Sequence, residues 1–269
     1  MNNFGTTKET IDYKTILKYI EELKKTGIKI STLQSYIGNL KIYFNYLQQE
    51  NYRVDNPVEN INIKGKVKTV VGNLLTADEL EDLYYSYETK DEDLARKRNK
   101  IIIGLLVYQG LHTKELQYLK EENIELYKGK IHIPQTPRTN GRTLELKPWQ
   151  LMEMMEYLQV IKPKLEQSAR KKSPSFGGGG EASLFTSSYG NTNINNVIKK
   201  ISDELKLINY KYQNAIQIRN SVIVNWLKSN NLRKTQYLAG HRYISSTERY
   251  QQDNLEELHE MVNNFHPIK

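Results

Sequence analysis

The chain has 269 residues, of which 38% are hydrophobic and 26% charged. This balance excludes a disordered protein and suits a soluble one with two modest domains or one large one. Its 39 Lys and Arg against 31 Asp and Glu give a net charge of +8, which favours a polyanion as partner. The absence of cysteine excludes disulfides, thiolate metal sites and a cysteine nucleophile. No apolar run approaches the length of a membrane span, so we expect a cytoplasmic protein without a membrane partner.

The N-terminal segment, from about residue 10 to residue 57, has the pattern of helices. Asn56-Pro57 marks their end, since proline cannot continue a helix. Residues 61–73 have no helical period and predict a basic linker. The apolar residues at helical spacing are Leu33, Ile37, Leu40, Phe44 and Leu47, and the lysines of the linker are Lys64, Lys66 and Lys68.

A second helical region begins at Thr76, which forms the pattern of a capping box with Glu79. The run Ile101–Tyr108 is apolar on more than one face, which predicts a buried helix ending before Gly110. Helices are expected again from Pro148 to Lys164. The glycine-rich stretch 171–190 lacks the Lys-Ser/Thr of a phosphate-binding loop and is interpreted as a connector.

Between these helical regions the period changes to that of strands. Residues 131–133 and 144–146 alternate apolar and polar side chains, which predicts a β-hairpin. The connection contains Asn140-Gly141, a dipeptide typical of hairpin turns. Its long tip carries Arg138 and Arg142, and both are candidate contacts to a polyanion.

The segment 238–250 carries the most chemical information. Gly240 suits the left-handed position that ends a helix, and Ser245 with Glu248 predicts a capping box at the start of the next. Tyr250 would then lie close to His241 and to two arginines. A tyrosine held in this way can attack a phosphate; alternatively, it packs a helix against the core.

Gly240-His241, followed by Thr247 and Tyr250, resembles the terminal signature of the tyrosine site-specific recombinases, the phage integrase and Xer family. In that family the histidine and the nucleophilic tyrosine are nine positions apart, as they are here. The resemblance implies a mainly α fold with a small antiparallel β-sheet, in two domains. It places a helical core-binding domain at 1–62, the linker at 63–73 and the catalytic domain at 74–269.

The resemblance also implies the chemistry. Tyr250 would attack a backbone phosphodiester, which gives a 3′-phosphotyrosyl link and a free 5′-hydroxyl. Arg219 and His241 would bind the phosphate, and Glu115 would support them. Arginine suits this role because its planar fork matches two phosphate oxygens. Neither ATP nor a metal is needed, because the link conserves the bond energy, so no cofactor is expected.

Three positions depart from the family pattern. His112 stands where the family has an arginine, and Ile216, which cannot transfer protons, stands where it has a histidine. No residue clearly matches the lysine of the hairpin; Arg138, Arg142 and Lys114 are the nearby cations. A histidine with an ordinary pKa of about 6.5 is largely neutral at pH 7, so His112 is a partial clamp and we expect His112→Arg to raise cleavage.

Three functional hypotheses follow. The first is a recombinase or integrase with a divergent active site; the second is a protein of the same fold that binds DNA without cleaving it. The third is a helical interaction protein that binds no DNA. Under the first hypothesis, the protein binds double-stranded DNA sites and assembles as a homotetramer on two of them. The DNA-bound protein is then associated with the nucleoid. The candidate DNA contacts are Arg138, Arg142, Lys64, Lys66 and Lys68.

Overall fold

A computed structural model describes residues 11–65, 73–90, 92–172, 183–185 and 194–251. The chain forms two compact units, 1–68 and 69–269. The division falls within the segment predicted as a linker, while the DNA-binding role of the first unit stays a prediction. Lys66, Lys68 and the glycine-rich stretch 177–180 lie outside the described residues.

In its described residues, 11–65, the first unit contains two helices, α1 (Tyr13–Lys25) and α2 (Ile30–Gln49). The carboxylate of Asp12 caps α1 by accepting from the Thr15 amide at 2.8 Å. Helix α2 ends well before Asn56, so the predicted stop is late. The buried side chain of Asn56 instead fastens the following loop, through Nδ2 to the Lys41 carbonyl and Oδ1 to the Val58 amide. The core of the unit includes Ile16, Ile20, Leu33, Ile37, Phe44 and Leu47.

The second unit is mainly helical. Thr76 and Glu79 form the predicted capping box at its start, and the helix containing Ile101–Tyr108 is buried, as predicted. A π-helical segment, Tyr157–Ile161, was not predicted. The helices are α3 (Ala77–Tyr85), α4 (Leu94–Gln109), α5 (Thr113–Tyr118), α6 (Pro148–Glu156), α7 (Lys162–Lys172), α8 (Ile194–Ile208), α9 (Ala215–Ser229), α10 (Leu232–Ala239) and α11, described over 245–251.

A three-stranded antiparallel sheet of order β1-β2-β3 accompanies these helices: β1 (Ile124–Glu125), β2 (Lys130–Ile133) and β3 (Arg142–Glu145). The predicted hairpin is confirmed, with Ile131 opposite Leu144 and both side chains buried. The predicted long tip is present, because residues 134–141 connect β2 to β3. Asn140-Gly141 does not form the predicted turn, since neither residue has a positive φ. The fold class is confirmed as mainly α with a small antiparallel sheet.

Helix α4 runs through the core and packs on α9. Its last turn ends at Gly110, whose φ is 57°. A Cβ on Gly110 would lie 3.0 Å from a methyl carbon of Val222 and 3.1 Å from the ring of Trp226. This close approach brings the start of α5 beside the first turns of α9. Among the described helices, none is both long and apolar enough to cross a membrane.

Candidate active site

Three segments of the second unit, α5, β3 and α9, meet at one carboxylate. Glu115, in the first turn of α5, is almost fully buried. Arg142 of β3 donates two hydrogen bonds to it, from Nη1 to Oε1 at 2.6 Å and from Nη2 to Oε2 at 3.1 Å. Nη1 of Arg219 lies 3.5 Å from Oε2. Burial alone would raise the pKa of Glu115, but Arg142 and then Arg219 hold it below its ordinary value.

Arg219 is held by the ends of two helices. Its Nη1 donates to the Gly110 carbonyl at 2.6 Å and its Nη2 to the Ala239 carbonyl at 2.5 Å. A cation is favourable at helix C-termini, where carbonyls lack partners. The side chain of Arg219 remains 8% exposed, whereas that of Arg142 is 0% exposed. Arg219 is therefore the more accessible of the two arginines, and Arg142 is fully buried.

The cluster carries an uncompensated positive charge. Arg142 and Arg219 share one carboxylate, that of Glu115. The neighbouring His112 and His241 do not add to the charge at pH 7, because burial and then Arg219 lower both pKa values below the ordinary 6.5. A phosphodiester carries one negative charge, so the site is matched to such a group in sign and magnitude.

His241 and Tyr250 lie against each other, on the turn before α11 and in α11 itself. Their rings are stacked, with centroids 5.9 Å apart and an interplanar angle of 14°. Burial, Arg219 and Arg142 lower the pKa of His241 to about 4, so its ring is neutral at pH 7. Nδ1 of His241 lies 2.9 Å from the Thr247 hydroxyl. If that hydroxyl donates to Nδ1, Nε2–H is left as a donor.

The hydroxyl of Tyr250 has a partner that the sequence analysis missed. It donates to Oδ1 of Asn220 at 2.9 Å. Asn220 is buried and directly follows Arg219 on α9. The sequence did contain one indication of a role for Asn220, since it is next to Arg219, which was expected to bind the phosphate. An amide oxygen accepts this hydrogen bond but does not take up the proton, so Asn220 orients the phenol.

His112 and Ile216, the two residues that differ from the family pattern, have different surroundings. His112 caps α5, with Nδ1 accepting from the Lys114 amide at 3.1 Å. Ile216 is 55% exposed at the start of α9. Lys114 is exposed on α5, and its side chain makes no hydrogen bond or ion pair with another described residue. In the described part of the chain, no three His, Asp or Glu side chains are grouped to hold a metal ion.

The hairpin arginines are divided between the surface and the interior. Arg138 is exposed on the 134–141 loop, as predicted for the tip. Arg142 was expected on the same tip but is buried, because Glu115 and the Leu238 carbonyl take its donors. Of the predicted linker lysines, Lys64 is exposed in the first unit, and the other two lie outside the described residues.

The predicted helix start in the signature is one residue off. Helix α11 already includes Ser245, and the Glu248 amide bonds the Ile244 carbonyl, so Ser245 is not the cap. Gly240 has a φ of 67° and ends α10, as predicted. The hairpin loop is tied to this turn, because the Asn140 amide donates to the Gly240 carbonyl at 2.9 Å. The loop therefore lies directly beside His241.

Comparison with known proteins identifies the family of the chain. Residues 73–257 match the Phage integrase family. The chain belongs to this family. It is 22% identical over 253 residues to a tyrosine recombinase of Thermosipho africanus, covering 91% of this chain and 82% of that protein. It is 24% identical over 268 residues to tyrosine recombinase XerC of Vibrio cholerae serotype O1, covering 96% and 78%.

Solved structures agree on the fold. The XerH site-specific recombinase, bound to its difH substrate before cleavage, matches with a TM-score of 0.69 and 20% identity, over 93% of this chain and 69% of that one. Membership of the phage integrase family supports site-specific DNA recombination by strand breaking and rejoining as the general activity.

The low pKa of His241 predicts a pH-dependent stability. Between pH 6.5 and 4 the unfolded chain takes up a proton on this histidine that the folded chain does not, so stability falls as pH falls through that window. The loss is at most roughly 3 to 4 kcal/mol, because each pH unit of displacement between 6.5 and 4 is worth about 1.4 kcal/mol. Urea unfolding from pH 8 to pH 4 measures it.

His112 contributes in the same direction, because its pKa is also lowered. The matched variant His241→Gln isolates the part due to His241, since it cannot titrate. We expect its unfolding free energy to decline less steeply than that of the natural chain from pH 6.5 to 4. Parallel curves over that range would show that His241 titrates normally.

Proposed function

We propose that the protein is a site-specific recombinase that cleaves and rejoins DNA through a covalent intermediate on Tyr250. The observation that carries the proposal is the placement of this hydroxyl. The hydroxyl donates to Asn220, and the Tyr250 ring is stacked on that of His241. Both rings lie near the buried cluster of Arg142, Arg219 and Glu115, which has an excess positive charge. That combination suits a nucleophile and the phosphate it attacks.

In the proposed reaction a bond forms between Tyr250 Oη and the scissile phosphorus, and the bond from phosphorus to the 5′-oxygen breaks. Tyr250 loses its proton and the leaving oxygen gains one. Arg219 stabilises the charge that develops on the phosphate oxygens, because its fork is already fixed by two carbonyls. His241 supplies a neutral N–H donor to the same phosphate. The reverse attack by a 5′-hydroxyl reseals the strand, without ATP or metal.

DNA binding is proposed to come from exposed cations around this site and in the first unit. Arg138 is on the loop tied to the His241 turn, close enough to lower the pKa of His112. Lys64, and by sequence Lys66 and Lys68, would contact phosphates from the other unit. Such contacts carry affinity rather than sequence selectivity. Assembly as a tetramer on two DNA sites is part of the same proposal.

A second candidate function is DNA binding without cleavage. It is favoured by His112, which is neutral at pH 7, and by Ile216, which cannot transfer a proton. Losing one fixed donor to a phosphate lowers rates by about a hundred- to a thousand-fold. The first function is preferred because Tyr250, Arg219, His241 and Glu115 still form one connected site.

Covalent trapping distinguishes the two functions. Duplexes bound by the protein are selected from a randomised library, and the selected site is then nicked so that cleavage cannot be reversed. We expect a protein–DNA adduct that survives denaturation and is absent with Tyr250→Phe. Tyr243→Phe is the matched control, since Tyr243 lies seven residues earlier and is 71% exposed. Binding without any adduct would establish the second function.

A further inference from the structure

Arg142 makes contacts that a DNA-binding arginine of a hairpin tip would not make. We infer that Arg142 is a positioning residue of the active site, which fixes Arg219 and His241 through Glu115 and supplies the guanidinium missing at His112. The inference deepens the proposed function and rests on it. It differs from a direct phosphate contact, because the Arg142 side chain is 0% exposed.

The donors of Arg142 join two segments that each carry a site residue. Its Nη1 and Nη2 bond the two oxygens of Glu115. Its Nε donates to the Leu238 carbonyl at 2.7 Å, three residues before His241. A planar fork fixes both partners in orientation as well as distance. The start of α5 and the end of α10, which leads into the His241 turn, are therefore held at one spacing by a single side chain.

The turn that carries His241 is built around this guanidinium. A Cβ added to Gly240 would lie 2.5 Å from Nη1 of Arg142 and 3.1 Å from the Asn140 carbonyl oxygen. The φ of 67° at Gly240 is also one that side-chain-bearing residues rarely adopt. Gly240 therefore serves two needs, the end of α10 and the close passage of Arg142.

Because Arg142 neutralises the carboxylate of Glu115, the charge of Arg219 remains available to a substrate. Without Arg142, the buried carboxylate of Glu115 would have Arg219 as its remaining cationic neighbour in the cluster, and the pair would be neutral. His112 does not compensate, since burial and Arg219 lower its pKa. With Arg142 present, the cluster keeps the positive charge that attracts a phosphate. Arg142 in β3 therefore supplies the positive charge that an arginine at position 112 would otherwise supply.

The first test compares Arg142→Gln, which removes the charge, with Arg142→Lys, which keeps it without the fork. On the nicked duplex we expect cleavage by Arg142→Gln to fall about 100-fold or more, with the dissociation constant for intact DNA changed only a few-fold. Arg142→Lys should lose less. Arg233→Gln, an exposed arginine of α10, is the control. Equal losses of binding and cleavage would overturn the inference.

The second test moves the arginine. In the double variant Arg142→Gln with His112→Arg, the new side chain lies at the start of α5 beside the vacated Glu115, and we expect cleavage to recover about tenfold or more over Arg142→Gln. His112→Arg alone should gain little, because Arg142 already occupies both oxygens of Glu115. This revises the gain expected from sequence alone. No recovery in the double variant would mean that Arg142 only stabilises the hairpin.

A third readout does not depend on cleavage. The charged groups bearing on His241 are Arg219, Arg142, Glu115 and Arg249. In the DNA-free protein, NMR titration of His241 should give a pKa of about 4, a higher value in Arg142→Gln and an unchanged one in Arg142→Lys. An unchanged pKa in Arg142→Gln would overturn the inference. If the natural chain forms no adduct, the proposed function fails while this measurement still decides the placement of Arg142.

Discussion

Arg219→Lys is expected to lower the rate of DNA cleavage by about a hundred- to a thousand-fold while DNA is still bound. Lysine keeps the charge, but a single ammonium cannot bond the Gly110 and Ala239 carbonyls at once and still present two aligned donors. The effect should therefore appear in the cleavage rate at saturating DNA. Single-turnover adduct formation on the nicked duplex measures it.

The matched control is Arg170→Lys, because Arg170 is an exposed arginine on α7, outside the cluster. Its cleavage rate should equal that of the natural chain. A thermal melt of Arg219→Lys checks that the fold persists with Glu115 still paired to Arg142. If Arg219→Lys cleaves at the natural rate in a folded protein, Arg219 does not bind the scissile phosphate.

Asn220→Ala is expected to slow cleavage by about 100-fold, since a displacement of about 1 Å in a reacting group can cost that much. The substitution removes the acceptor that fixes the Tyr250 hydroxyl. Binding of intact DNA should be unchanged, because the positive cluster remains. Asn220→Asp should also lower the affinity for the nicked duplex, since its carboxylate would neutralise the charge that Arg219 offers.

Asn225→Ala provides the comparison on the same helix. Its Nδ2 has no hydrogen-bond partner among the described residues, so its removal should leave the cleavage rate close to that of the natural chain. Equal cleavage rates for the two alanine variants would show that the bond between Tyr250 and Asn220 is not used in the reaction.

The fold was largely predictable because its signals are local. The capping box at Thr76 and the apolar run 101–108 both depend on residues close in sequence, and both are confirmed. The errors occurred where distant contacts decide. Asn140-Gly141 is typical of a tight turn, but the Asn140 amide donates to the Gly240 carbonyl a hundred residues away, and neither residue has the positive φ of such a turn. Strand β1 has only two residues and no pattern of its own.

The site was predictable in its residues but less so in its connections. The spacing of His241 and Tyr250 indicated the family, and the chain belongs to it. That Arg142 would turn inward could not be read from a basic hairpin tip, because its partner Glu115 is 27 positions away. Asn220 was missed for a similar reason. Its role depends on α11 returning Tyr250 to the start of α9.

The central claim is that Tyr250 forms the covalent link to DNA, and peptide mapping of the trapped adduct tests it most directly. Trypsin cuts after Arg242 and after Arg249, so Tyr243 and Tyr250 fall in different peptides. After nuclease digestion, mass spectrometry should find a nucleotide joined through its 3′-phosphate to the peptide that begins at Tyr250. A nucleotide on the 243–249 peptide, or no modified peptide from a site that the protein binds, would contradict the account.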